Sequence, residues 1–105
     1  MSTFDNREQA FEAKYAHDEE MQFRAVARRN KMLGLWAAGL MGKTPEEAAT
    51  YAMTVVSADF EEAGHEDVVR KVKADLGDKA TEDEIRVKMV ELLPVAKAEI
   101  MTEQN

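Results

Sequence analysis

From Met32 to Met41 the chain has no charged or polar side chain, and its only tryptophan, Trp36, lies inside this stretch. A surface helix keeps one polar face, so the apolar character of Asn30–Gly42 on every side predicts a helix buried on most sides, with the other segments packed around it. Its ten uncharged residues rise only ~15 Å as a helix, against a hydrocarbon core of ~30 Å, so the stretch belongs to a protein core and not a membrane span. Gly34 and Gly39 each weaken a helix by up to ~1 kcal/mol but allow a neighbouring helix to approach closely.

On either side of this hub the patterns differ. Residues 2 to 20 are dominated by charge and alanine, with Phe4, Phe11 and Tyr15 the only large apolar groups. Asp5 and Glu8 have capping-box spacing, so a helix can start there. On that helix the three aromatics fall at i, i+7 and i+11, a stripe too thin to dock stably on its own domain. A free helix of about 14 residues is marginal in water. Residues 1–18 are therefore expected to form a mobile, mostly disordered arm that becomes helical on a partner, followed by a bundle over 19–105.

The bundle reads as four helices. The first runs from about residue 19 to 41, with Gly42 as its stop. The second has Thr44 as cap, Pro45 at the first helical position and Glu47 closing the box. Its expected inward line is Ala49, Ala52, Met53, Val56, Phe60 and Ala63, ending at Gly64. The third covers about 66 to 76 with Val69, Val72 and Leu76 inward, before Gly77. Thr81 and Glu84 open the fourth, whose stripe of Ile85, Met89, Leu92, Leu93, Ala96 and Ile100 is interrupted by Pro94. A kink or break is expected near Val90 to Leu93. No segment alternates with the period of a strand, and short connections make successive helices antiparallel neighbours. The fold class is all-α: a four-helix bundle with a mobile N-terminal arm.

Composition narrows the functions open to such a bundle. At 105 residues the chain is one small domain that buries only roughly 60–70% of its unfolded surface, which leaves little room for a deep catalytic cavity. A net charge of −7 and a pI near 4.8 speak against non-specific nucleic-acid binding and against a membrane-adhesive surface. There is no cysteine, hence no disulfide and no thiolate metal site, which suits a reducing cytoplasm. The start, MSTFDNREQ, lacks a secretion signal. The expected location is cytoplasmic.

Few motifs survive scrutiny. AAGLMGKT, Ala37–Thr44, nearly matches a phosphate-binding loop, but Ala37 stands where a glycine is needed and a helix leads in where a strand is needed. Gly42 and Thr44 are explained as a helix stop and a cap. Arg24, Arg28 and Lys31 form one basic face, flanked by Arg29, open to three readings: solvated or internally paired, a protein contact, or weak contact with ADP or ATP. His17 and His65 have no partner at metal-ligand spacing, so no metal is expected. His17, where arm meets bundle, titrates near neutrality and could act as a pH-sensitive hinge; simple exposure is the plainer reading. Glu61, Glu62, Glu66 and Asp67 flank Gly64 at a helix junction, and Glu66 and Asp67 suit the positive end of the third helix. The two serines, Ser2 and Ser57, have no base at a suggestive spacing. No catalytic constellation is present in the sequence, and an enzyme is not expected. The arm, by contrast, looks like a helix-in-groove ligand.

Three stretches in order carry a resemblance: FDNREQAFEAKYAHDEEMQFRAVARRNK (Phe4–Lys31), GLWAAGLMG (Gly34–Gly42) and DFEEAGHEDVVRKVKADL (Asp59–Leu76). Together they resemble the zeta subunit of alphaproteobacterial F-type ATP synthases, from about Phe4 to Met101. The resemblance implies a small four-helix bundle whose N-terminal segment enters a catalytic interface between alpha and beta subunits and reaches the gamma subunit of the central stalk. There it folds into a helix and blocks ATP hydrolysis. It implies an inhibitory stretch of roughly Ser2 to His17, with contacts at Phe4, Asp5, Arg7, Phe11, Glu12, Lys14 and Tyr15, and with Glu8 of the capping box in the same set. It also implies a peripheral place at the inner membrane through the ATP synthase, with no direct membrane insertion. Tyr15 stands where phenylalanine is more usual, Gly39 where a charged residue is common and His65 where an acid is common. Two other readings stay open, a nucleotide-sensing bundle using Arg24, Arg28 and Lys31, and an assembly factor acting through the exposed faces of the second and fourth helices.

Overall fold

The computed structural model describes the backbone of residues 3–61 and 65–103, and side chains over 19–59 and 65–103. Four helices are present among the described residues: α1 Thr3–Leu40, α2 Pro45–Glu61, α3 His65–Leu76 and α4 Glu82–Glu103, with one turn of 3-10 helix at Gly77–Lys79 before α4. The architecture is the all-α four-helix bundle expected from the periodicity. α1 packs most extensively against α2 and α4.

The helix ends are set by local chemistry. Gly42 has φ +73°, which only glycine adopts without strain. Its N–H donates to the Gly39 carbonyl at 3.2 Å, and the Lys43 N–H donates to the Ala38 carbonyl at 3.0 Å. These two bonds form a Schellman cap that satisfies the last carbonyls of α1. In the box that opens α2, the Glu47 N–H donates to Thr44 Oγ1 at 3.2 Å and the Thr44 N–H donates to Glu47 Oε1 at 2.9 Å. Thr81 and Glu84 repeat this at the start of α4, at 3.1 and 3.3 Å.

The core joins Leu33 and Ala37 of α1, Val55 of α2, Val68, Val69, Val72 and Leu76 of α3, and Ile85 and Met89 of α4. Each large aliphatic side chain fully buried there contributes roughly 1.5–3 kcal/mol. Tyr51 closes one side: its hydroxyl donates to Asp75 at 2.8 Å, and the Lys71 ammonium lies 5.3 Å from its ring centre. Burial first, then the Asp75 carboxylate, push the tyrosine pKa up.

Four details differ from the sequence reading. In the hub, Leu33, Gly34, Ala37 and Ala38 are buried, but Leu35 and Leu40 remain 40% and 42% exposed. Three partner helices cover only about one side of α1, so the hub is buried on a face and not all round. Gly39 meets nothing, whereas a Cβ placed on Gly34 would lie 2.6 Å from the Ala52 Cα. That backbone-close contact fixes the rotation of α2. With Ala52 at the seam, Tyr51 and Val55 turn inward, while Ala49 and Met53 face solvent and Val56 is only half-buried; Phe60 and Ala63 lie outside the described side chains. Finally, of the kink or break expected near Val90 to Leu93 there is no break, since α4 continues through Pro94. Pro94 and Val90 are both exposed, so water can bond the carbonyl that proline leaves without its donor, and the helix continues.

Candidate partner-binding surface

α1 is the element on which every candidate contact lies. Its helical backbone begins at Thr3. The side chains of Phe4, Asp5, Arg7, Glu8, Phe11, Glu12, Lys14, Tyr15 and His17 lie outside the described residues, and with them the aromatic stripe. Register still places these positions on a face. Eighteen residues make about five helical turns, so position 11 is in phase with Arg29 and position 15 with Leu33. Both of those later residues are buried, at 4% and 0% exposure. Positions 11 and 15 therefore share a phase with the covered side of α1, while position 4 is in phase with Gln22, which is exposed.

The basic face is largely paired within the molecule. Arg24 meets Glu20 of its own helix at 2.7 Å, both exposed. Arg28 crosses to α4, where it donates to Glu99 at 3.3 Å and through Nη2 to Glu103 at 2.8 Å. The bond to Glu103 holds the guanidinium's pKa up and the carboxyl's down. Lys31 is exposed. All three line one open groove with Phe23 and Met53, so the face is real as a juxtaposition, but two of its charges already have carboxylates.

Arg29, read from the sequence only as a flank of that face, is the buried cation. It donates through Nε and Nη2 to Asn30 Oδ1, at 3.2 and 3.0 Å, and its Nη2 lies 3.2 Å from His65 Nδ1. Burial lowers its pKa, with Asp59 opposing the shift. Asn30 is itself fully buried, and its Nδ2 has no partner among the described residues. The signal that finds Arg29 is helical phase: it lies four residues before Leu33, on the core side of α1.

The remaining motifs resolve into structure. In AAGLMGKT the amides of Met41, Gly42, Lys43 and Thr44 all donate within the turn, to Ala37, Gly39, Ala38 and Glu47, so none is left to cradle a phosphate. Glu66 receives Arg86 at 2.8 Å, and that bond, more than any other cause, lowers its pKa; Asp67 pairs with Arg70. No group of acids and histidines fit to hold a metal occurs among the described residues. No described helix is long and apolar enough to cross a membrane.

A protein whose structure was determined by NMR in solution is 59% identical, with a TM-score of 0.74, over 79% of this chain and 98% of that one. None of the curated proteins compared with the chain matches it. The family model for ATPase inhibitor subunit zeta matches residues 1–99. That span takes in the leading segment of α1 and the bundle behind it together, and the chain belongs to the ATPase inhibitor subunit zeta family.

Proposed function

We propose that this chain inhibits the F-type ATP synthase by lodging residues 1–18 as a helix at an alpha/beta catalytic interface, in reach of the gamma subunit, and so blocks ATP hydrolysis. Membership of an ATPase inhibitor family supports the role. The observation that carries the mechanism is the shared phase of α1. By helical register, positions 11 and 15 fall in phase with Arg29 and Leu33, both buried five turns later. An amphipathic helix with that side uncovered is what a hydrophobic groove receives. The enzyme's groove then does for residues 3–18 what the bundle does for the rest of α1.

On this reading Phe4, Phe11 and Tyr15 are the anchors, and Asp5, Arg7, Glu8, Glu12 and Lys14 set register against the alpha and beta subunits. The bundle is too broad to follow the arm, so it stays outside and limits the depth of insertion. The protein acts as a regulator without catalysis of its own, in the cytoplasm and at the inner membrane only through the enzyme. Truncating a central anchor costs ~2–4 kcal/mol, about 30- to 800-fold in affinity. Phe11→Ala is therefore expected to raise the half-inhibiting concentration for ATP hydrolysis by an isolated catalytic head by at least that lower factor, with helicity and melting unchanged. Inhibition by Phe11→Ala at wild-type concentrations would refute the assignment.

A further inference from the structure

Where α1, α3 and α4 meet, a pocket of about 440 Å³ opens at the side of the bundle, within the ~300–1,000 Å³ usual for small-molecule sites. Its apolar walls are Val69 of α3 and Met89, Val90, Leu93 and Pro94 of α4. Its polar lining is Arg29, His65, Glu66, Arg86 and Lys97. Arg29 keeps only 4% of its surface, and a buried charge is costly unless an opposite charge meets it. We propose that this pocket binds a small organic monocarboxylate, its carboxylate meeting Arg29 and Lys97 and its apolar body lying against Val69, Val90 and Leu93. The inference goes beyond the inhibitory role and is independent of how the arm acts.

Charge and hydrogen bonding both leave room for an anion. Of the three cations, Arg86 is already neutralised, by Glu66 at 2.8 Å and by Glu82 and Asp83 of its own helix. Arg29 is not: among the described residues no carboxylate pairs with it, and Asp59 acts on it only from further off. Lys97 likewise has no ion pair or hydrogen bond among the described residues. The bonds fall short in the same sense. Arg29 Nε and Nη2 have Asn30 Oδ1 and His65 Nδ1 as acceptors, which leaves Nη1 with none among the described residues. Beside it the fully buried Asn30 has no acceptor for its Nδ2. The cluster is rich in donors and poor in acceptors, and a carboxylate supplies acceptor oxygens and negative charge together. The walls decide the rest of the ligand. A phosphate or polyphosphate would bring more charge beside Glu66 and leave most of its oxygens against aliphatic side chains. A single carboxylate with an apolar body meets neither penalty.

The test is a titration of the full-length protein with sodium hexanoate, followed by backbone-amide NMR shifts at constant ionic strength, with hexanamide, sodium phosphate and ADP as separate arms. Saturable shifts are expected at His65–Val69 and Val90–Lys97, with a rise in melting temperature, because a ligand that binds only the folded state stabilises it. Hexanamide keeps the apolar body without the charge and should bind at least tenfold more weakly. Lys97→Gln and Val90→Glu both lie at exposed positions, so each should fold as wild type. The first removes a cation and the second sets another acid in the wall, and each should weaken hexanoate at least fivefold. No saturable shift, or equal affinity for hexanoate and hexanamide, would overturn the site. Phosphate or ADP binding at the same amides more tightly than hexanoate would make it a phosphate site and refute the carboxylate assignment. Wild-type hexanoate affinity in either variant would place the binding elsewhere and refute the pocket.

Discussion

Gly34 and Gly39 stand five residues apart on one helix, and exchanging each for alanine separates packing from propensity. Either change gains up to ~1 kcal/mol of helix propensity. At Gly39 nothing lies within 4 Å of the added Cβ, so the gain is kept, and Gly39→Ala should raise the melting temperature by about 2–8 °C at ~4–8 °C per kcal/mol for a domain of this size. At Gly34 the new Cβ would sit 2.6 Å from the Ala52 Cα, 3.1 Å from its Cβ and 3.2 Å from Val55 Cγ2. The first of these is backbone and cannot rotate away, so α1 and α2 must separate and loosen the packing around Val55. Overpacking of this kind costs ~1–3 kcal/mol, with an unyielding neighbour at the upper end. Against the propensity gain the net is about 2 kcal/mol of destabilisation, or a fall of roughly 8–16 °C. Thermal unfolding followed by circular dichroism reads both variants in one experiment. A Gly34→Ala protein that melts at or above wild type would show that α1 and α2 do not cross at this point, and the account of how α2 chooses its inward face would fall with it.

Other outcomes follow from the same contacts. Thr44→Ala removes the hydroxyl that accepts the Glu47 N–H and should cost ~1 kcal/mol. The Glu47 carboxyl, held below its ordinary range first by the Thr44 amide and then by its hydroxyl, should shift upward in an NMR titration of that variant. Glu47, Glu66 and Glu103 all titrate below their ordinary range, the last two chiefly through bonds from Arg86 and Arg28. A depressed folded-state pKa adds stability that is complete above the unfolded value of ~4.3 and is lost as pH falls through the folded value. The melting temperature should accordingly drop between about pH 5 and pH 3, and Glu66→Gln with Glu103→Gln should flatten that slope. Leu33→Ala, at a position with no exposed surface, should cost ~2–5 kcal/mol in denaturant unfolding.

Read alone, the chain specified its elements well, because the signals involved are local. Capping boxes at Thr44–Glu47 and Thr81–Glu84, the glycine stop at Gly42 and the 3.6-residue stripe of α4 each depend on neighbours within one or two turns, and all are in the structure as read. The family resemblance was also legible there, since it is a pattern of residue identity. Tertiary structure decided what depends on which helices meet. Apolar positions on α2 allowed two inward faces, and only the Gly34–Ala52 contact chose Val55 over Met53. A run of apolar residues cannot say how many neighbours will cover it, so Leu35 and Leu40 came out half exposed. Helical phase with Leu33 puts Arg29 on the core side of α1, but only the fold shows that it meets His65 of α3 there, beside Asn30. The physical reason is the same in each case: a helix repeats every few residues, so its own chemistry is written locally, whereas its rotation is set by the shape of a distant partner.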